Sequence, residues 1–261
     1  MKWLAEKKIV IIGGTTGMGL SAAIAFVKEG AQVVVVGRNE ESCFQAQQAL
    51  GENGIALCSD ATDPKTAVSA IDLCLKIYSD FNGLYHVAGG SGRKFGDAPL
   101  HELTLEGWNK TFELNLTTLM LSNQAAVKTF LSRNREGVIL NMGSVLSNFP
   151  SPTYFSTHAY AAAKAAVTGF IKTTAAYYAK NNIRINGLYP ALVETPMSQR
   201  AAQDDTILHF IKTKQPLDGG RIGLPEDLDG AAIYFMSNYA KFTTGQILLV
   251  DGGWSISEGQ L

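Results

Sequence analysis

The sequence predicts an α/β fold, one doubly wound parallel sheet of seven strands with helices on both faces. Three observations lead there. Seven short runs are apolar and rich in β-branched residues, the composition of strands buried on both faces of a parallel sheet. Stretches of helical pattern alternate with these runs, and parallel neighbours need such crossovers. Glycine clusters follow directly after the first and fourth runs, where backbone can lie against a ligand. No linker, low-complexity segment or fixed-period repeat interrupts the pattern, so residues 1–261 are read as a single domain.

Ile9-Val10-Ile11-Ile12 is the first strand, and Gly13-Gly14-Thr15-Thr16-Gly17-Met18-Gly19 follows at once. Residues 20–29 then read as a helix stopped by Gly30. In this context the glycines acquire a purpose. Gly13 permits a sharp turn, Gly17 lets backbone approach a pyrophosphate, and Gly19 allows close helix–sheet packing. Free N–H groups at the helix start favour phosphate. The spacing is G-x-x-x-G-x-G rather than G-x-G-x-x-G, and the loop, with Thr15, Thr16 and Met18, reads as dinucleotide-binding. The second strand, residues 32–36, ends in Gly37-Arg38-Asn39. An acid there would hold a ribose 2′-hydroxyl, whereas an arginine accommodates a 2′-phosphate. Arg38 therefore favours NADP(H). NAD(H) stays open if Arg38 only stacks on adenine or faces solvent.

Residues 40–50 form a polar helix with a thin apolar stripe, and 55–58 form strand three. Asp60, followed by Ala61, sits at a strand end where its carboxylate can accept an adenine amino proton. Residues 67–79 are an amphipathic helix. Strand four, residues 84–88, runs through Ala88 into Gly89-Gly90-Ser91-Gly92. Residues 104–113 and 116–131 are helical, with Asn115 between them as a cap or a local break. Strand five, residues 138–142, ends at Gly143-Ser144. Residues 145–158 carry two prolines and no clear period, and read as a loop over the cleft. A long helix covers 159–180. Strand six, residues 183–189, is stopped by Pro190. The polar, weakly helical excursion that follows, with Val193 and Thr195 near its start, is a candidate lid. A helix begins at Pro225, and residues 246–250 are strand seven. Ligands of such sheets bind outside the carboxyl ends of the strands. The 13–19 loop, Arg38, Asp60, Gly89, Ser144 and Pro190 all follow strand ends.

Tyr160 and Lys164 lie four residues apart and share one face of the long helix. An ammonium beside a phenol favours the phenolate, so the Tyr160 pKa is expected to fall below about 10, suiting it to general acid–base work. Alanines at 159, 161–163, 165 and 166 leave the pair uncrowded. The plainer alternative is an exposed pair worth a few tenths of a kcal/mol.

Composition narrows the function classes. The 261 residues are 46% hydrophobic and 17% charged with net charge −1, so no basic field points to nucleic acid or an anionic membrane. Cys43, Cys58 and Cys74 are odd in number and widely spaced, which suits a reducing compartment. The four histidines form no metal-like cluster, and no metal is expected. The first residues lack the apolar run of a signal peptide, and no apolar segment of about 20 residues occurs. A cytoplasmic, soluble protein is expected.

Taken together the ordered motifs, from about Lys8 to Gly253, resemble the short-chain dehydrogenase/reductase family and its Rossmann fold. Gly13, Gly17 and Gly19 match the family's T-G-x-x-x-G-x-G, with Ile12 replacing the Thr. Asp60 matches its adenine-contacting Asp, His86-Val87-Ala88-Gly89 its N-N-A-G stretch, and Asn115 its active-site Asn. Ser144 in Asn141-Met142-Gly143-Ser144, Tyr160 with Lys164, Pro190-Ala191, and the closing Asp251-Gly252-Gly253 complete the set. Several positions depart from the pattern. Without the two Asn side chains at 86 and 87, neighbours must hold that sheet edge differently, and Ala191 for Gly stiffens the turn. Ser147 has the family's usual offset from Tyr160. Ser144 lies three residues further back but directly follows the strand, so Ser144 is chosen and the loop after it carries an insertion.

The resemblance implies hydride transfer between a nicotinamide and a carbonyl or secondary alcohol carbon. Tyr160 would exchange the proton, Lys164 would tune Tyr160 and bind the ribose, Ser144 would orient the substrate oxygen, and Asn115 would anchor a water. With NADP(H) favoured, reduction of a ketone or 3-oxoacyl compound is the first reading. An NAD-dependent alcohol or sugar dehydrogenase of the same family is the alternative, and a coenzyme-sensing protein without turnover a more distant one. Three loops, residues 91–98, 145–158 and 191–215, should line the pocket, with Phe149, Tyr154 and Phe155 as an apolar wall. Arg93 and Lys94 read as surface charge, with contact to an anionic substrate as the alternative. Family members are often tetramers, and a homotetramer is expected.

Overall fold

The computed structural model describes residues 2–259; Met1, Gln260 and Leu261, the ends of the expected domain, lie outside the described residues. Seven parallel strands form one sheet in the order β3-β2-β1-β4-β5-β6-β7. They are β1 Lys8–Ile12, β2 Gln32–Gly37, β3 Gly54–Cys58, β4 Gly83–His86, β5 Gly137–Met142, β6 Ile183–Pro190 and β7 Ile247–Val250. The order reverses between β1 and β4, so a crevice opens there at the carboxyl ends.

Alternation along each strand feeds two separate cores. Val10 and Ile12 of β1, with Val34 and Val36 of β2, pack under α3 (Thr66–Tyr78), α5 (Thr118–Ser132) and α6 (His158–Tyr178). Ile9, Ile11, Val33 and Val35 face α1 (Gly17–Lys28), α2 (Glu40–Leu50) and α9 (Asp229–Met236). These eight side chains are at most 1% exposed, and burying each contributes about 1.5–3 kcal/mol. Both faces are apolar because both are covered, which is why the strands read as continuous hydrophobic runs.

Two local features place the site. The helical region after β4 is one unbroken stack. α4 (Leu105–Phe112) passes through a π-helical turn, Glu113–Thr117, into α5. Asn115 is the centre of that turn, so the expected break is a change of helical pitch. The excursion after β6 folds into α7 (Gln199–Ala202) and α8 (Asp205–Lys214), the latter capped by the Asp204 side chain. Ile207, Phe210, Ile211, Ala201 and Val145 form a third small core around Trp254. The segment is therefore anchored over the cleft by its own apolar packing, a feature its polar composition concealed.

Candidate active site

The glycine loop sits where β1 meets the switch point. Gly13 has φ +84°, and a Cβ there would lie 2.6 Å from the Ala88 backbone nitrogen. Loop and β4 terminus are thus pressed together, with the Val87 and Ala88 N–H groups both donating to the Ile12 carbonyl. At Gly19 a Cβ would meet the Gly13 carbonyl oxygen at 2.0 Å. This glycine therefore lets α1 close onto the loop, whereas the sequence suggested close packing on the sheet. α1 begins at Gly17, three residues earlier than expected, and the side chain of its cap Thr16 makes no capping bond. Thr15 is buried against Gly37, at the end of β2.

Arg38 follows Gly37 and is exposed. Asp60 Oδ1 accepts from the Thr62 N–H and hydroxyl, both at 2.9 Å. The Thr62 backbone bond, opposed by burial, holds Asp60 below the usual carboxylate range, and the Arg38 charge adds to it. Ala61 follows, half-buried. Thr16, Gly17, Met18 and Gly19 at the start of α1, with Arg38, Asp60 and Ala61 at the ends of β2 and β3, are spread along one sheet edge. An extended dinucleotide fits such an edge, phosphates at the helix N-terminus.

A cavity of about 300 Å³ opens at the same edge, lined by Met18, Gly89, Pro190, Val193 and Thr195 and by Asn115, Ser144, Tyr160 and Lys164. Ser144 lies one residue past Gly143, where a Cβ would come within 1.9 Å of the Tyr189 ring. Only glycine permits the chain to turn there over a buried tyrosine. Ser144 Oγ accepts the Leu146 N–H at 3.2 Å. Ser147, with the familiar spacing, is absent from the cavity wall and its hydroxyl is buried without a partner among the described residues.

Lys164 is 3% exposed and donates to the Met142 carbonyl at 3.0 Å, tying α6 to the end of β5. Asn115 donates to the Gly90 and Thr111 carbonyls at 2.8 and 2.9 Å and accepts the Gly90 N–H at 3.2 Å. A Cβ on Gly89 would lie 2.8 Å from Asn115 Oδ1 and 3.5 Å from Lys164 Nζ, so both side chains converge on that residue.

The electrostatics differ from the sequence expectation. Burial pushes the Tyr160 phenol up to about 12, with a Ser144 hydrogen bond pulling it down. Lys164 does not offset this. Its Nζ is 5.7 Å from the Tyr160 ring centroid and is committed to Met142, and burial lowers its own pKa to about 8. The polypeptide alone therefore keeps the phenol protonated at neutral pH.

The missing asparagines of the β4 terminus are replaced in kind. His86 is buried with Nδ1 2.8 Å from Ser122 Oγ, and burial pushes its pKa down to about 3, so it is a neutral structural group. Asn123 and Asn141 exchange two hydrogen bonds at 2.8 and 2.9 Å beneath the same edge.

The three expected loops contribute Ser91, Arg93, Leu146, Phe155, Thr157, Leu192, Met197, Ser198, Arg200 and Ala201 to the cavity. Of the expected aromatic wall only Phe155 is there. Tyr154 packs at a tilt against Phe210, and the Phe149 carbonyl accepts from Trp254 Nε1. Trp254, packed edge-on to Phe155, takes the vacant place and was missed, although it follows a strand end like the other site residues. Asp97 was also missed. Its Oδ1 accepts the Ala159 N–H and its Oδ2 the Tyr160 N–H, both at 3.0 Å. Nothing local in the sequence announces a cap for a helix some sixty residues away.

A family model described as enoyl-(acyl carrier protein) reductase matches residues 13–255. The chain belongs to the short-chain dehydrogenase/reductase family. It is 30% identical to gluconate 5-dehydrogenase of Gluconobacter oxydans, over 97% of this chain and 96% of the relative. It is 31% identical to a 2,5-dichloro-2,5-cyclohexadiene-1,4-diol dehydrogenase of Sphingobium indicum, over 97% and 98%. A short-chain type dehydrogenase/reductase from Mycobacterium ulcerans superposes with TM-score 0.87 at 27% identity, covering 98% of this chain and 92% of that one. This short-chain dehydrogenase/reductase is an NAD(P)-dependent oxidoreductase acting on CH–OH donors. Among the described residues no helix is long and apolar enough to cross a membrane, and no group of three or more His, Cys, Asp or Glu could hold a metal ion.

Proposed function

We propose that the protein is an NADP(H)-dependent reductase of a ketone or 3-oxoacyl compound, working reversibly on the corresponding secondary alcohol. The convergence of Asn115, Ser144, Tyr160 and Lys164 in one cavity beside the coenzyme edge carries this reading. Bound nicotinamide supplies the hydride. The Tyr160 hydroxyl donates the proton to the carbonyl oxygen, and its raised pKa supports the protonated, donating form at neutral pH. Ser144 holds that oxygen in line. Lys164 offers its ammonium to the nicotinamide ribose, and Asn115, seated on the π-helical turn, anchors a water between Lys164 and solvent. Gly13, Thr15, Thr16, Gly17, Met18, Gly19, Ala88 and Gly89 cradle the pyrophosphate and nicotinamide side. Asp60 and Ala61 meet the adenine, Arg38 the 2′-phosphate, and Pro190, Val193 and Thr195 the nicotinamide.

The names of the relatives favour a second reading on the substrate side, a sugar or cyclic alcohol dehydrogenase, with NAD(H) as the alternative coenzyme should Arg38 not meet a 2′-phosphate. Kinetics with all four coenzyme forms across a ketone and alcohol panel separates the two. Tyr160→Phe keeps the ring and removes the exchangeable proton. Turnover should fall about a thousandfold, with coenzyme affinity retained; near-normal turnover on a good substrate overturns the catalytic assignment.

The exposed Leu105, Trp108, Leu131 and Tyr177 on α4, α5 and α6 support a homotetramer, which sedimentation would test. Free Cys43, Cys58 and Cys74 support a cytoplasmic location, testable by cell fractionation.

A further inference from the structure

Arg93 and Arg200, both exposed to solvent, bring two positive charges to the lining of the cavity. They arrive from different segments, the turn after β4 and the short helix α7. Among the described residues neither guanidinium enters an ion pair. Asp97, whose charge reaches Arg93, has both oxygens committed to the N–H groups of Ala159 and Tyr160. After burial, the Arg200 charge is the next influence lowering Arg93 from its ordinary value. Lys94 behaves differently: it is absent from the wall and lies over the Phe95 ring at 5.1 Å.

Like charges that share a cavity without a direct ion pair repel each other, the Asp97 carboxylate offsetting this in part at Arg93, and a shared anion turns the remaining repulsion into charge-assisted hydrogen bonds. The same cavity is also lined by the apolar side chains of Leu146, Phe155, Met197 and Trp254. The coenzyme phosphates have their own place, at the start of α1 and at Arg38. We propose that Arg93 and Arg200 form an anion clamp in the substrate pocket, and that the substrate is an alcohol or carbonyl compound bearing a carboxylate. Its carbon skeleton lies against Leu146, Phe155 and Trp254 while its reacting oxygen meets Ser144 and Tyr160. This rests on the catalytic reading above for the position of the reacting oxygen, but the clamp is measurable without turnover.

The full chain, saturated with NADP+, is titrated by calorimetry with cyclohexanecarboxylate and with the uncharged cyclohexanecarboxamide. The acid should bind about tenfold more tightly than the amide. In Arg93→Gln/Arg200→Gln the ratio should drop to near one while NADP+ affinity stays within about twofold. Equal binding of acid and amide, no measurable binding of either, or a preference that survives the double substitution overturns the proposal. So does a loss of NADP+ affinity with the preference intact, which would assign the arginines to the coenzyme. A kinetic arm uses keto acids of increasing carbonyl-to-carboxylate spacing, each beside its methyl ester. Esters reduced as well as acids remove the clamp and leave the reductase reading standing. Acid binding in the absence of any turnover does the reverse.

Discussion

Asp97 holds Tyr160 by the backbone: the carboxylate accepts the Tyr160 N–H at 3.0 Å and the preceding Ala159 N–H at the same distance. A buried acid from the loop after β4 thereby fixes the first turn of α6, and the phenol is oriented by the helix it rides on. Asp97→Ala leaves these donors without their acceptor and should cost about 1–2 kcal/mol of stability. The melting temperature falls, and kcat drops about tenfold with coenzyme affinity unchanged. Asp97→Asn keeps an acceptor and should fall between the two. Calorimetric melts with steady-state kinetics check this. Unchanged kcat in the alanine variant would show that Tyr160 needs no such support.

On the proposed reading, coenzyme choice turns on Arg38. Its guanidinium is exposed at the end of β2 and no acid occupies the position that would hold a ribose hydroxyl. Arg38→Ala should raise the KM for NADPH by about tenfold or more, while that for NADH moves less than about twofold. A strong preference for NADH in the unaltered protein would remove the arginine from the recognition scheme.

The pH dependence should differ between the two directions. With Tyr160 pushed up to about 12, the proton donor for reduction is in place throughout the neutral range. Reduction should therefore be nearly flat there, and decline as Lys164 loses its charge near 8. Oxidation needs the phenolate and should climb with pH over the same interval. Profiles of kcat/KM in both directions report these groups in the free enzyme.

Stability carries its own titration at Asp229, which is not among the residues lining the cavity. Its Oδ2 accepts from Ser21 at 2.8 Å, its Oδ1 is buried without a partner among the described residues, and burial raises its pKa to about 6. The folded state thus binds more protons than the unfolded chain between about 4 and 6. Stability should fall as pH rises through that window and level off above it. Asp229→Asn removes the titration. It should gain about 1 kcal/mol at neutral pH, a figure reduced for partial solvation, and nothing near pH 4. Chemical denaturation at the two pH values tests the sign.

The sheet was legible because burial on both faces leaves a period-free apolar signature, and β1 and β2 show it without ambiguity. Tyr160, Lys164, Ser144 and Asn115 were legible because each sits at a fixed place relative to a strand end or a helix face. What stayed hidden depends on contacts between distant segments. Asp97 caps a helix it does not precede, Trp254 reaches Phe155 across the cleft, and Arg200 meets the cavity only because α7 and α8 build a core of their own. The Tyr160 pKa was misjudged for a related reason. Four-residue spacing sets which face Lys164 shares, while the Met142 carbonyl from another element decides where its charge goes.

The π-helical turn at Glu113–Thr117 makes chain length matter in one place. A wider turn of this kind holds one residue more than regular α-helix would. Deleting one residue there would restore ordinary pitch and leave the buried face of α5 in register, so the fold survives while the widened turn that seats Asn115 against Gly90 is lost. The excursion beyond β6 packs on a small core of its own around Trp254, so a lineage of these proteins could acquire new specificities by changing its cavity-facing side chains while the register beside Gly90 stays frozen.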